Sequence, residues 1–169
     1  TVDYVIGIPG TGIAGGQGYA NKLKLPYVQA IIDQATPESE KRTFMSANIG
    51  DIGTEALSHF TIDPAMIRGK KICIVDDSLV RGNITKSIIH LLKKQYGAKT
   101  VHVRILCPPI DKPCHLGINT RNAEELIVHQ CGGDLTTVCT YIGADSHEYL
   151  SAKGLAQTIT EKADTQGFC

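Results

Sequence analysis

Short apolar runs alternate with amphipathic stretches through the first two thirds of the chain. The apolar runs are rich in Val and Ile and are bounded by Gly, Pro or charged residues, which is typical of strands. The predicted strands are DYVIGIP, PYVQAII, KKICIV and TVHVRILC, and the predicted helices cover residues 13–24 and 84–95. The apolar positions of the second helix share one face: Ile84, Ile88, Leu91 and Leu92. This alternation predicts an α/β fold, a doubly wound, mostly parallel sheet with flanking helices.

The pattern changes after Cys107. The stretch CPPIDKPCHLGIN is rich in proline and is expected to leave the sheet. NAEELIVHQ predicts a helix, with Asn122 as its N-cap and Glu125 completing a capping box. GDLTTVCTYIG and SAKGLAQTIT predict two further short helices. Since no repeat or linker divides the chain, residues 1–169 are expected to form a single domain.

Composition and charge exclude several classes of protein. The 169 residues are 42% apolar and 20% charged, which indicates a globular chain with a real core. Seventeen basic and seventeen acidic residues cancel, so a large nucleic-acid footprint is not expected. The apolar runs are far shorter than the ~20 residues of a membrane span. The six cysteines form no CxxC pair, and Cys73 and Cys107 in the apolar strand runs are expected to be reduced core thiols, which favours a cytoplasmic location.

The stretch ICIVDDSLVRGNIT ends a predicted strand with two adjacent carboxylates, Asp76 and Asp77. Ligands of an open parallel sheet bind beyond the carboxyl ends of its strands. The loop that follows leads into a helix N-terminus, which favours a phosphate; Gly82 lets the backbone approach it, and Thr85 can cap the helix or donate a hydroxyl.

Two carboxylates beside a phosphate loop would repel the ligand. Neutral sugar hydroxyls can donate to them, and a Mg²⁺ ion can lie between them and a diphosphate. The motif therefore suits a sugar phosphate that carries a diphosphate. The alternative is an Asp pair that caps a helix on a surface turn.

A second glycine-rich motif, GTGIAG at residues 10–15, follows the first predicted strand. Its spacing matches a dinucleotide-binding fingerprint, with Asp33 about twenty residues later as the acidic partner. The other interpretation is a diphosphate loop whose amides face Asp76 across the sheet edge. Both interpretations put an anion on the same helix N-terminus, and the double Asp motif favours the diphosphate loop.

The segment around the double aspartate resembles the PRPP-binding signature of the type I phosphoribosyltransferases, where PRPP is phosphoribosylpyrophosphate. Within that family the chain is most similar to the phosphoribosyltransferase domain of the glutamine PRPP amidotransferases. The similar blocks occur in the same order and include VIGIPGTGIAGGQGYANKLKLPY, KRTFM, RGKKICIVDDSLVRG, GAKTVHVRILCPPIDKPCHLGIN, AEELI, IGADSHEYLS and GFC. The resemblance implies the type I phosphoribosyltransferase fold and a fragment without the N-terminal glutaminase domain.

The resemblance also implies roles for individual residues. Asp76 and Asp77 would hold the ribose hydroxyls and, with Thr11, a Mg²⁺ ion, while Arg42 is the remaining candidate for catalysis. The implied PRPP-binding residues are Thr11, Gly12, Asp76, Asp77, Ser78, Val80, Arg81, Gly82, Asn83 and Thr85. The family's reaction displaces pyrophosphate from PRPP with ammonia to give 5-phosphoribosylamine in purine biosynthesis. Purine nucleotides are expected as inhibitors and a homo-oligomer as the state of the parent protein, without a nucleic-acid or membrane partner.

Some members of this family carry a [4Fe–4S] cluster. By position, Cys114 and Cys169 match two of its four cysteine ligands in the parent protein. The other ligands are absent from this sequence, so the fragment alone is not expected to hold a cluster.

The chain departs from the family at the segment after KRTFM. The family has a catalytic loop there that carries Arg and Lys, whereas SANIGDIGTEALSHF contains neither. Residues 78–85, which the resemblance places around the 5-phosphate, also have Ile84 in place of a polar donor. Two other functions therefore stay open: a PRPP- or nucleotide-binding module with degraded catalysis, and a phosphoribosyltransferase with a nucleobase acceptor. The segment 46–60 is expected to be mobile without ligand.

Overall fold

The structure is a computed structural model that describes residues 1–34, 57, 60–114, 120 and 122–162. Its six strands are β1 (Tyr4–Gly7), β2 (Ile31–Asp33), β3 (Phe60–Ile62), β4 (Lys71–Asp76), β5 (Thr100–Ile105) and β6 (Ser146–Tyr149) within these described residues. The main sheet has four of them in the order β1-β4-β5-β6, and every neighbouring pair is parallel. The predicted mostly parallel sheet is therefore confirmed.

Helices cover both faces of this sheet. They are α1 (Thr11–Leu23), α2 (Asn83–His90), α3 (Ile127–Gln130), α4 (Leu135–Ile142) and α5 (Ala152–Lys162). Short 3₁₀ turns cover Pro64–Met66 and Ala123–Glu125, and a π-helical turn, Leu91–Gln95, extends α2. No helix among these described residues is long and apolar enough to cross a membrane.

The alternation of side chains along the strands divides the core in two. One face of the sheet packs under α1 and carries Val5, Cys73 and Val75 against Ala20. The other face packs under α2 and α4 through fully or almost fully buried residues: Ile6, Ile72, Ile74, Val103, Ile88, Ile89, Val138 and Ile142. Each such side chain contributes about 1.5–3 kcal/mol by leaving water. Since α1 and α2 lie on opposite faces, the point where the sheet's winding reverses falls between β1 and β4.

The predicted strand PYVQAII is only partly correct. Its first half makes an isolated parallel bridge between Tyr27 and Val5, and the chain then enters β2 (Ile31–Asp33). The side-chain amide of Gln29 donates to the Gly7 and Ile31 carbonyls at 3.2 and 2.5 Å. The Gln29 side chain thus bonds the end of β1 where a neighbouring strand would continue the backbone hydrogen bonds of the sheet. Strand β2 pairs instead with an antiparallel strand, β3 (Phe60–Ile62).

Two further predictions need correction. The predicted helix NAEELIVHQ is divided into the 3₁₀ turn and α3 because Leu126 between them is extended, with φ −81° and ψ 128°. Asn122 makes no side-chain cap there, so the predicted capping box is wrong. The helix predicted at 84–95 is regular only to His90, after which the π turn begins.

Candidate functional site

A cavity of about 580 Å³ lies at the carboxyl edge of the sheet, at the reversal between β1 and β4. This is where ligands of doubly wound sheets bind. Its walls are residues 8–11 after β1, residues 76–85 from the last residue of β4 onwards, and Phe60 of β3. A volume of this size is ordinary for a small-molecule site.

The two predicted carboxylates lie on the floor and rim of this cavity. Asp76 is the last residue of β4, and its Oδ1 accepts the Asp77 backbone N–H at 2.9 Å. Burial raises the pKa of Asp76 to about 7, with the neighbouring Asp77 charge raising it further and the backbone hydrogen bond opposing the shift. Keeping this carboxylate charged in a desolvated position costs free energy that a cation or hydroxyl donors would offset.

A hydrogen bond joins the two loops across the site. The Thr11 hydroxyl donates to Asp77 Oδ2 at 2.5 Å, over a separation of 66 residues. Ser78 Oγ donates to the other oxygen of the same carboxylate at 3.3 Å. The structure therefore brings Thr11, Asp77 and Ser78 together, as the sequence predicts, and places their oxygen atoms side by side.

The GTGIAG motif places a helix close to the sheet. A Cβ on Gly12 would lie 2.7 Å from the Val75 carbonyl oxygen and 3.4 Å from the Asp76 Cα. Only glycine permits this approach, which sets the first turn of α1 against the end of β4. Gly12 thus shapes the site by close packing as well as by the position of its amide.

The loop from Ser78 to Gly82, which we call the phosphate loop, turns directly into α2. Gly82 occupies the N-cap position with φ +76°, and no side chain caps the helix. Thr85 is 4% exposed and lies inside the first turn, so it does not cap α2. Ile84 is exposed on the cavity wall. The N-terminal amides of α2 have no side-chain partner at the cap, as at an anion site.

The outer side of the phosphate loop is covered by residues that the sequence did not indicate. The Ile127 N–H donates to the Val80 carbonyl at 2.8 Å, and Arg81 forms an ion pair with Glu125. Phe60 was also missed, although it lines the cavity. No spacing rule finds these residues, because each reaches the site from an element distant in sequence.

Several predicted residues lie away from this cluster or outside the described part of the chain. Arg42, Cys169 and almost all of the 46–60 segment lie outside the described residues. Cys114 is half-buried, and its N–H donates to the Thr120 hydroxyl at 3.1 Å. The described residues include no group of three or more His, Cys, Asp or Glu side chains arranged to hold a metal ion.

Comparison with known proteins gives a match over most of the chain. The family model of the phosphoribosyl transferase domain matches residues 1–120. The amidophosphoribosyltransferase of Rattus norvegicus is 36% identical over 160 residues, which cover 95% of this chain and 30% of the rat protein. That of Archaeoglobus fulgidus is 33% identical over 167 residues, which cover 99% of this chain and 35% of the relative.

Solved structures show the same similarity. The glutamine PRPP amidotransferase from B. subtilis, complexed with ADP and GMP, superposes with a TM-score of 0.75 at 32% identity. The match covers 98% of this chain and 35% of that one. The chain therefore spans about a third of the length of the relatives it matches.

Proposed function

The chain belongs to the phosphoribosyl transferase domain family, and on that basis we propose that its carboxyl-edge cavity binds PRPP and transfers the phosphoribosyl group to ammonia. The product would be 5-phosphoribosylamine, as expected for the phosphoribosyltransferase part of an amidophosphoribosyltransferase in purine biosynthesis. The observation that carries the proposal is that the loops after β1 and β4 line the same cavity, with Asp76 and Asp77 between the N-termini of α1 and α2.

The ligand's three parts fit three parts of the cavity. The 5-phosphate would lie against the phosphate loop, where the uncapped N-terminus of α2 offers backbone amides. The ribose hydroxyls would donate to Asp76 and Asp77. The diphosphate would lie against Gly10 and Thr11, where α1 begins, also without a side-chain cap. In this arrangement the C1 atom lies between the two helix N-termini.

The reaction needs little acid–base chemistry from the protein. The lone pair of ammonia forms the new bond to C1, while the bond from C1 to the pyrophosphate oxygen breaks and its electron pair leaves with pyrophosphate. The amine then loses a proton to solvent. Fixed dipoles at the α1 N-terminus would stabilise the charge that develops on the leaving group. Arg42, which is outside the described residues, stays a predicted contributor.

The donor set at the rim fits a magnesium ion. Mg²⁺ prefers oxygen ligands and is bound through one or two carboxylates together with substrate phosphates. Asp76, Asp77 and the Thr11 hydroxyl supply such oxygens, and the buried Asp76 carboxylate would gain the most from a nearby cation. When bound, the ion would neutralise charge on the diphosphate and make it a better leaving group.

Two alternatives remain distinct from this proposal. The absence of Arg and Lys from residues 46–60 favours a module that binds PRPP without turnover, since such cations would stabilise the charge that develops on the leaving group. Phe60 on the cavity wall is the described aromatic that a nucleobase acceptor could stack against. Both alternatives use the same PRPP subsites and differ only in what happens at C1.

The experiment is an assay of PRPP-dependent pyrophosphate release with Mg²⁺ and ammonium chloride. The wild-type chain is expected to release pyrophosphate, and the Asp76→Asn/Asp77→Asn variant is expected to lose release by at least about a hundredfold, since both ribose ligands are changed. Release only on adding a nucleobase would favour the nucleobase acceptor. Binding by calorimetry without release under any condition would favour the binding module.

The remaining assignments stay predictions. Inhibition by purine nucleotides is supported by the B. subtilis relative, which was solved with ADP and GMP. A [4Fe–4S] cluster on Cys114 and Cys169, a homo-oligomeric parent and a cytoplasmic location rest on the sequence alone.

A further inference from the structure

The phosphate loop has a support on its outer side, formed by residues 123–130, which we call the buttress. It contains the 3₁₀ turn and α3 and meets the loop through its backbone, an apolar side chain and an ion pair. The sequence predicted only a capped helix here. The sequence separation between the ion-paired residues is 44, so the support is a tertiary contact.

The backbone and apolar contacts hold the loop at its middle residue, Val80, and at its last residue, Gly82. The Ile127 N–H donates to the Val80 carbonyl at 2.8 Å. A Cβ on Gly82 would lie 2.4 Å from Ile127 Cδ1, and Gly82 has φ +76°, a conformation that favours glycine. Ile127 itself is fully buried. The positive-φ turn that opens α2 is therefore packed directly against the buttress.

The ion pair holds the residue between these two contacts. Arg81 Nε donates to Glu125 Oε2 at 3.1 Å, and Arg81 Nη2 donates to the same oxygen. The side chains are 43% and 25% exposed, so the pair is only partly screened by water. An ion pair this exposed adds little to global stability. Its stronger effect is local, because it fixes the long Arg81 side chain and the backbone that carries it.

The position of Glu125 is itself determined by short-range bonds. Its N–H donates to the Asn122 carbonyl at 3.3 Å, which closes the 3₁₀ turn. The Gln130 side-chain amide donates back to the Glu124 carbonyl at 2.8 Å and ties the turn to α3. Glu125 is thus held between the closed 3₁₀ turn that precedes it and the buried Ile127 that follows it.

We propose that Glu125 is a positioning residue for the substrate: by holding Arg81 it keeps the phosphate loop in the conformation that binds the 5-phosphate. The inference rests on the proposed function, because it assigns this loop to the phosphate of PRPP. It separates the roles of two oppositely charged residues. Arg81 acts as a tether through Glu125, and the contacts to the phosphate come from loop amides and hydroxyls.

The test compares Glu125→Gln with Glu124→Gln, which removes the same charge from the adjacent, exposed position. Binding is measured by calorimetry with two probes: ribose 5-phosphate, which has the 5-phosphate alone, and Mg²⁺-pyrophosphate, which has the diphosphate alone. Glu125→Gln is expected to weaken ribose 5-phosphate binding about five- to tenfold and to leave pyrophosphate binding within about twofold. Glu124→Gln is expected to change neither.

Two further measurements separate positioning from other effects. Amide hydrogen exchange of residues 78–82 without ligand is expected to speed up in Glu125→Gln and not in Glu124→Gln. In a double-mutant cycle, Arg81→Gln and Arg81→Gln/Glu125→Gln are expected to bind ribose 5-phosphate as weakly as Glu125→Gln does. An Arg81→Gln loss far larger than the Glu125→Gln loss would show that Arg81 contacts the phosphate itself and would overturn the proposal.

The remaining outcomes are also decisive. Equal ribose 5-phosphate affinity in Glu125→Gln and Glu124→Gln, or tighter binding in Glu125→Gln, would overturn the positioning role while leaving the proposed function intact. A wild-type chain that binds neither PRPP nor ribose 5-phosphate would overturn both.

Discussion

The helices that meet the cavity begin differently from the helix that packs behind it. Both α1 and α2 have a glycine at the N-cap, Gly10 or Gly82, and neither has a side chain bonded to its first amides. In contrast, α4 has Asp134 at its N-cap, whose carboxylate accepts the N–H groups of Thr136 and Thr137 at 3.0 Å each. The chain thus closes one helix N-terminus with its own carboxylate and leaves two open where we place the anionic groups of a ligand.

The position of negative charge follows the same division. At α4 the carboxylate lies on the helix it caps, and its hydrogen bonds to Thr137 and Thr136 hold the pKa of Asp134 below its usual range. At the cavity, Asp76 and Asp77 precede the loop to α2, and the pKa of Asp76 is raised by burial. The charged form of Asp134 is thus favoured by hydrogen bonds within the protein, whereas burial disfavours the charged form of Asp76, which a bound cation or sugar hydroxyls would stabilise.

The largest expected effect on the free energy of unfolding comes from removing the buried charge of Asp76. Because the pKa of Asp76 is raised in the folded chain, its protonated form favours folding. This stabilisation is complete below pH ~3.8 and is lost as the pH rises towards 7. Asp76→Asn removes that loss, so at pH 8 the variant is expected to be about 3 kcal/mol more stable than the ligand-free wild type, and less so at pH 5. Urea unfolding at the two pH values measures this difference.

Binding should change in the opposite direction. Asp76→Asn is expected to gain stability and to lose PRPP affinity, since the ribose hydroxyls and the metal ion lose a carboxylate. A stability gain that does not vary with pH would show that burial of the charge is not its cause.

A somewhat smaller effect is expected from the close packing of α1. Gly12→Ala places a Cβ 2.7 Å from the Val75 carbonyl oxygen, and a backbone atom there cannot move aside cheaply. The variant is expected to lose about 2 kcal/mol of unfolding free energy and to weaken diphosphate binding by shifting the start of α1. Chemical unfolding and pyrophosphate calorimetry measure the two losses.

The matched control for that change lies in the same helix. Gly18 is exposed and an added Cβ there meets nothing within 4 Å. Gly18→Ala is expected to stabilise the chain by about 0.5–1 kcal/mol through helix propensity alone. Equal effects at the two glycines would contradict the packing role of Gly12.

The smallest effect is expected at the closed N-terminus. Asp134→Ala removes a side-chain cap and is expected to lower the free energy of unfolding by less than Gly12→Ala does. PRPP affinity is expected to stay within about twofold, because α4 contributes nothing to the cavity wall among the described residues. A large loss of PRPP affinity would contradict the division between structural and ligand-binding helix starts.

The sequence predicted the segments that line the cavity better than it predicted the elements around them. The strand that ends in Asp76, the glycine-rich start of α1 and the loop into α2 are local patterns, and the structure places all three around one cavity. The strand β6 was missed because its residues SHEY are mostly polar, with only His147 fully turned into the core.

The failures have a common physical cause in long-range contacts. Glu125 has the spacing of a capping box, yet it pairs with Arg81 from another part of the chain. Gln29 lies in an apolar run that looks like a strand, yet its side chain bonds the Gly7 carbonyl and interrupts the ladder. Local sequence carries no information on which distant group will compete for a polar side chain.

Ligand binding at the two open helix N-termini is tested most directly by the change in backbone amide NMR shifts when PRPP and Mg²⁺ are added to the chain. The largest shifts are expected at residues 10–13 and 82–85, the two open helix N-termini, and none of comparable size at Thr136 and Thr137 of the closed one. Unchanged amides at both open N-termini at saturating PRPP, or shifts centred on α4, would contradict it.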